Sequence, residues 1–123
     1  MSQIDTIYNR YGEPVLRLIE NGRLVSFEGR SIGFLDNGNL YNYAGTHIGW
    51  YEKGIMRDHY GNCVGFGETV TDSPRPLLPF KQFKPLPSIE EFEPFRPFKS
   101  FPPFKPFKSF TWSDSDPEEL FNE

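Results

Sequence analysis

Large apolar residues recur at two different rhythms along this chain, and the change of rhythm divides it. Up to about residue 72, apolar and polar positions alternate over runs of about five residues, with glycine-bearing turns between them. Alternation turns one face to a core and the other to water, so these runs read as β-strands. From Leu77 onward every third residue is large and apolar: Leu77, Phe80, Phe83, Leu86, Ile89, Phe92, Phe95, Phe98, Phe101, Phe104, Phe107 and Phe110. A period of three matches neither an α-helix nor a strand. It matches polyproline II, which has three residues per turn and a rise of about 3.1 Å per residue.

The first region is a repeat. Aligned on Gly12, Gly29, Gly45 and Gly61, its units are 17, 16 and 16 residues apart. A β-branched residue follows each glycine by three (Val15, Ile32, Ile48, Val64), and an apolar one precedes it by five (Ile7, Leu24, Leu40, Met56). Second turns recur at Asn21-Gly22, Asn37-Gly38 and Lys53-Gly54. The Asn-Gly pairs suit type I′ turns, which need positive φ at both central residues. Each unit thus reads as a β-hairpin. One hairpin alone is marginal in water, but four can share a core, with the last closing against the first. The expected fold is all-β: a pseudo-fourfold head over residues 1–72, an extended Pro/Phe-rich segment over 73–111, and an acidic tail over 112–123.

Within this frame the Tyr-Asn-Tyr-x-Gly-x-x-Ile-Gly-Trp stretch at Tyr41–Trp50 and the Arg-Asp-x-x-Gly-Asn-Cys-Val stretch at Arg57–Val64 resemble the bacterial four-fold beta flower family. The resemblance covers about residues 6–70 and extends into the Pro-Lys-rich segment. It implies a fold and a bacterial or phage source. It brings no activity, and so no functional residue.

In the period-three segment each column becomes a face. One is the apolar ridge. The second is mostly charged, basic except around Glu90 and Glu93. The third is rich in proline and serine, and proline stiffens both itself and its predecessor. Thirty-three steps would span about 100 Å if straight, against about 30 Å for a 70-residue head. The segment must bend around its own head, reach other copies, or bind a long partner. Fully burying one phenylalanine contributes about 1.5–3 kcal/mol, so the ridge is a strong drive to association. A disordered linker would also be Pro- and Lys-rich, but linkers are poor in aromatics and need no register.

Charge is unevenly placed. Residues 1–72 hold six Lys/Arg and nine Asp/Glu; 73–110 hold seven and three; 111–123 hold none and five. A basic middle between acidic ends points to self-association or an acidic partner, and not to nucleic acid. No apolar run is long enough to cross a bilayer, no secretory signal is visible in Met1–Arg10, and the expected compartment is the cytoplasm. Membrane-surface attachment through interleaved Phe and Lys is the weakest expectation, since the flanks are acidic.

Catalytic chemistry finds little footing. His59 and Cys63 have a two-ligand spacing, but a zinc site wants three or four ligands, and His47 lies in another unit. Asp58 aligns with Asn42 and Ser26, which marks it as a turn residue. Ser113–Glu119 is acidic, with a short helix expected from Pro117 to Phe121 behind Asp116. No cofactor, metal or catalytic residue is assigned. The expected role is a non-enzymatic structural protein that assembles with itself through the twelve ridge residues, as a homo-oligomer or filament. The alternative is an adaptor whose tail docks another protein. Phe34, Tyr41, Tyr43, Trp50, Tyr51 and Phe66 are the candidates for a surface on which the tail docks.

Overall fold

The structure, a computed structural model, describes residues 3–122. Eight strands follow in order: β1 (Gln3–Tyr8), β2 (Pro14–Ile19), β3 (Arg23–Ser26), β4 (Ser31–Asp36), β5 (Asn39–Tyr41), β6 (His47–Glu52), β7 (Ile55–Arg57) and β8 (Cys63–Phe66). Each pairs antiparallel with the next, and β8 returns to β1 to close a barrel. Closure rests on one pair, Tyr8 with Phe66. Near the start of β8, the Cys63 N–H donates to Thr111 O at 2.9 Å and the Ser113 N–H donates to Cys63 O at 2.8 Å. The C-terminal segment thus covers strand edge that β1 leaves unpaired.

The turns joining odd to even strands are alike, and all lie at one end of the barrel. In each, the N–H of Gly12, Gly29, Gly45 or Gly61 donates to the carbonyl three residues earlier, on Asn9, Ser26, Asn42 or Asp58. Side-chain oxygens of those same residues brace the loop. Asn42 Oδ1 accepts from the N–H groups of Ala44 and Thr46, and Asp58 Oδ1 from those of Tyr60 and Asn62. Asp58 is a turn residue because its carboxylate is occupied this way.

At the other end, Asn37-Gly38 and Lys53-Gly54 form two-residue turns with positive φ at both positions. Asn21-Gly22 departs from the expected tight hairpin. Its ladder stops at Leu18 and Leu24, and a 3-10 turn spans Glu20–Gly22. The reason lies in β2, whose Ile19 is fully buried and pairs with Gln3 of β1 before the chain turns. That added residue makes the first spacing 17 where the others are 16.

The repeat columns fill the barrel. Ile7, Leu24, Leu40 and Met56 are at most 1% exposed, and Leu16, Leu18, Ile48 and Val64 join them. Leu120 and Phe121 complete the same core. Leu120 ends α1 (Pro117–Leu120) and Phe121 caps it; at its start the Asp116 N–H donates to the Glu119 carboxylate at 3.0 Å in a capping box. The Phe121 ring lies over Gly33, where a side chain would collide with it. Asn42 Nδ2 donates to Phe121 O at 3.3 Å. The acidic end of the chain is therefore a plug for the barrel. Its two apolar residues, more than its charge, decide where it goes. Among the described residues no helix is long and apolar enough to cross a membrane.

Residues 73–110 contain neither helix nor strand. They wrap the barrel as a strap. The N–H groups of Gln82, Glu91, Ser100 and Ser109 donate in turn to the carbonyls of Gly12, Gly29, Gly45 and Gly61, at 2.8, 2.8, 2.9 and 3.1 Å. Close approach is possible only because no Cβ intervenes. At Gly45, with φ of 86°, a Cβ would run into the Phe98 carbonyl. Replacing Gly45 by Ala is expected to cost more than about 1 kcal/mol. It should lower the urea midpoint and speed exchange of the Ser100 amide. An unchanged Ser100 exchange rate would refute this account of the docking.

Candidate functional site

The strap is built so that two of its three columns face the barrel. The four docking amides belong to the Pro/Ser column and are nine residues apart, three periods of three for each unit of the head. Pro79, Pro97 and Pro106 lie against Gly12, Gly45 and Gly61, again at nine-residue steps. In the second unit Ser88 stands in that series, and its N–H, which proline lacks, donates to Phe27 O at 2.8 Å. This superperiod was readable in Phe80-Lys81-Gln82-Phe83, Phe98-Lys99-Ser100-Phe101 and Phe107-Lys108-Ser109-Phe110. The three-residue rhythm conceals it.

The charged column finds its partners on the head. Lys81 and Lys84 pair with Glu68, Lys99 with Asp36, Lys105 with Glu52 and Lys108 with Asp72. Where the strap turns acidic the head turns basic. Glu90 pairs with Arg17 at 3.3 Å, and the Glu91 carbonyl accepts from Arg23. Glu93 takes the Tyr43 hydroxyl at 2.7 Å and pairs with Arg96 of the strap. Pairs as exposed as the lysine ones contribute little stability each. Their pattern, inverted in one quarter, specifies which stretch of strap meets which unit.

Arg57 closes the ring. Its buried guanidinium pairs with Asp72, donates to Pro74 O where the strap begins, and donates to Ser109 O at 2.8 Å where it ends. It also donates to Gly61 O at 2.8 Å. Burial alone would raise the Asp72 carboxyl, but Lys108 and Arg57 outweigh it and hold it below the ordinary range. Around this clasp Tyr8, Ile55, Cys63 and Phe66 pack with Val70, Leu78 and Trp112, so both ends of the strap meet over one apolar cluster.

The remaining column, the apolar ridge, points outward. Each of the twelve ridge residues is at least 91% exposed, except Phe110 at 71%. Nine of them are phenylalanines, at roughly 150–250 Å² of side-chain surface apiece. The belt therefore exceeds 1,000 Å², against about 300–600 Å² for the largest apolar patch of an ordinary monomer.

The candidates for tail docking divide. Arg96 lies over the Phe34 ring at 4.7 Å and Lys99 over the Tyr41 ring at 6.0 Å. Tyr43 bonds Glu93, and Trp50 lines a narrow cleft with Lys105, Pro106 and Lys108. Phe66 stacks on Tyr8 at 5.5 Å and takes its place in the clasp cluster. Tyr51 instead donates its hydroxyl to Asp5, and burial raises its pKa. The strap thus meets these rings with cations, a carboxylate and a proline; its phenylalanines stay outside. Sequence reasoning missed Arg17 and Arg57. Both break a column of the repeat: Arg17 sits where Phe34, Trp50 and Phe66 sit, and Arg57 where Tyr8 and Tyr41 sit. A charge in an aromatic column was the available signal.

His59 and Cys63 do not converge. Cys63 is fully buried with its thiol toward Gly65 O, and burial pushes it up to about 12. His59 Nε2 instead meets His47 Nδ1 at 2.9 Å, while His47 Nε2 meets Asn39 Oδ1 at 3.0 Å. Among the described residues no group of three His, Cys, Asp or Glu side chains is placed to hold a metal.

A family described as 4-fold beta flower protein matches residues 5–121. The chain belongs to this family. The match takes in barrel, strap and plug together, so the beta flower unit is the wrapped molecule and not the barrel alone. The beta flower family is not a known enzyme family. No curated protein and no solved structure matches the chain.

Two measurements probe this assembly. Arg57→Ala leaves Asp72 buried beside Lys108 alone and frees both strap ends. It is expected to cost about 3–5 kcal/mol in urea unfolding, and a loss below about 1 kcal/mol would remove Arg57 as the clasp. Separately, burial, and then the nearby His59, pushes His47 down to about 4. The unfolded chain takes that proton near pH 6.5 and the folded one refuses it. Stability is therefore complete above pH 6.5 and falls toward pH 4 by on the order of 2–3 kcal/mol. His47→Gln should flatten that slope in urea titrations at pH 7 and 4.5.

Proposed function

We propose that the protein is a non-enzymatic structural protein that assembles with copies of itself through the outward ridge of its strap. In this reading four β-hairpin repeats form the head and the strap is polyproline II. Its three-fold rhythm then becomes one committed docking side and one free apolar side. The observation that carries the proposal is the exposure of the ridge along the whole strap. A folded chain gains nothing from twelve wet apolar side chains, and a second copy offers the same chemistry in return.

Two further observations favour copies over other occupants. Each strap cation has a partner in the same chain, from Arg75 on the Asp72 carbonyl to Lys108 on the Asp72 carboxylate. Few charges are left free to seek an anionic membrane or an acidic partner. The strap is also folded onto its own head, which leaves no loose tail for an adaptor to capture a partner at a distance. The reading sets the protein in the cytoplasm, where the free thiol of Cys63 stays reduced.

The purified chain at micromolar concentration should scatter light as large particles. Replacing Phe95, Phe98 and Phe104 by Ser should abolish the scattering and leave the melting temperature within a few degrees, since all three are exposed. A wild-type chain that remains monomeric at tens of micromolar without a partner would overturn the proposal.

A further inference from the structure

We infer that copies meet edge to edge in one plane, each strap arc of nine residues making one weak contact, so that the assembly grows as a sheet. The inference rests on the self-assembly reading above and goes beyond it by fixing the geometry of the contact. The four docking carbonyls sit on the four turns at one end of the barrel, so the strap rings that end. Nine residues per unit correspond to about 28 Å of polyproline II, which makes a full ring about 110 Å around and about 18 Å in radius. The ridge divides into equal arcs: Phe80, Phe83, Leu86; then Ile89, Phe92, Phe95; then Phe98, Phe101, Phe104. The fourth arc is Phe107 and Phe110 with Leu77, because the strap's ends are brought together at the clasp.

A ring is convex everywhere, and this limits what two copies can share. Two circles of this radius that touch diverge by roughly 10 Å within half an arc of the contact point. Only about one arc per copy is in reach, three apolar side chains facing three. Ridge residues repeat every ~9 Å, a gap wide enough for a ring from the other copy, so the two sets interleave. Such a contact buries roughly 500–900 Å² in total. That is short of the ~1,000 Å² that marks a specific stable interface. A pair alone does not hold. A copy held by several neighbours does, because each further contact forms at high effective concentration. Growth is therefore cooperative, with a sharp concentration threshold and no stable dimer. The end plugged by α1 stays out of it, since it carries Asp114, Asp116, Glu118 and Glu119, which disfavour a second copy there.

The test combines sedimentation with electron microscopy of the full chain and of one variant. The variant removes opposite arcs: Phe92→Ser and Phe95→Ser together with Phe107→Ser and Phe110→Ser. Wild type is expected to pass from monomer to planar patches over less than a tenfold range of concentration. The variant should stay monomeric at concentrations where wild type has assembled, because with two opposed arcs each added copy is held by a single contact. A stable dimer, stacking through the flat ends, rounded aggregates from wild type, or strings or sheets formed by the variant would each overturn the planar contact while leaving self-assembly standing. A wild-type chain that stays monomeric would overturn both.

Discussion

A segment without helix or ladder must send its backbone hydrogen bonds elsewhere, and the strap's go to the head. An unpaired amide held against a protein surface is costly. A proline-rich strand also has few amides to give. The strap spends four of them on four glycine carbonyls at one interval, so one period of the strap has to equal one unit of the barrel. Everything else in the wrap follows from that match. The prolines stack where the glycines leave room, the charges fall opposite their partners, and the two ends arrive together at Arg57.

That same match decides which way the ridge faces. The strap's period of three gives it three columns. One is taken by the docking amides and their prolines, and a second by the ion pairs and the cations over Phe34 and Tyr41. The apolar side is the remainder, and it can only face away. The usual arrangement of a folded chain is thereby reversed in the strap: charge faces inward, apolar side chains outward. The reversal is affordable inward because the barrel's outer face supplies carboxylates and aromatic rings at the required places, and because its interior is already filled by its own columns and by Leu120 and Phe121.

Much of the barrel was legible in the sequence because its rules are local. Alternation marks strands, Asn37-Gly38 marks a tight turn, and four recurrent columns mark a repeated unit. The Asn21-Gly22 loop was not legible, since it opens only because Ile19 is held by β1, a contact across the barrel. The strap's rhythm was visible, but its path was not. Whether a stiff segment leaves or wraps depends on a second period, nine, and on the inversion of charge at Glu90 and Arg17. Those signals are faint, three or four matches each, and acquire meaning only beside the spacing of the glycines. The plug was hidden for a plainer reason. A run of acidic residues reads as solvated, and the two apolar positions that seat it are a small part of its composition.

The energy of the ridge deserves comparison with that of the fold. Nine phenylalanines at about 1.5–3 kcal/mol each represent more than ~13 kcal/mol of burial that folding leaves unused. Small domains are stable by about 5–15 kcal/mol in all. A chain that withheld this much from its own core for no purpose would be unstable or insoluble for its trouble, since a third of a turn of the strap about its axis would exchange the ridge for the lysines. The four backbone hydrogen bonds, the inverted ion pairs and the Arg57 clasp all act against that turn. They hold the rod in the one rotation that keeps the apolar side chains wet. On the self-assembly we propose, the docking side of the strap is the device that presents the other side, and the stability withheld within one molecule becomes available between molecules.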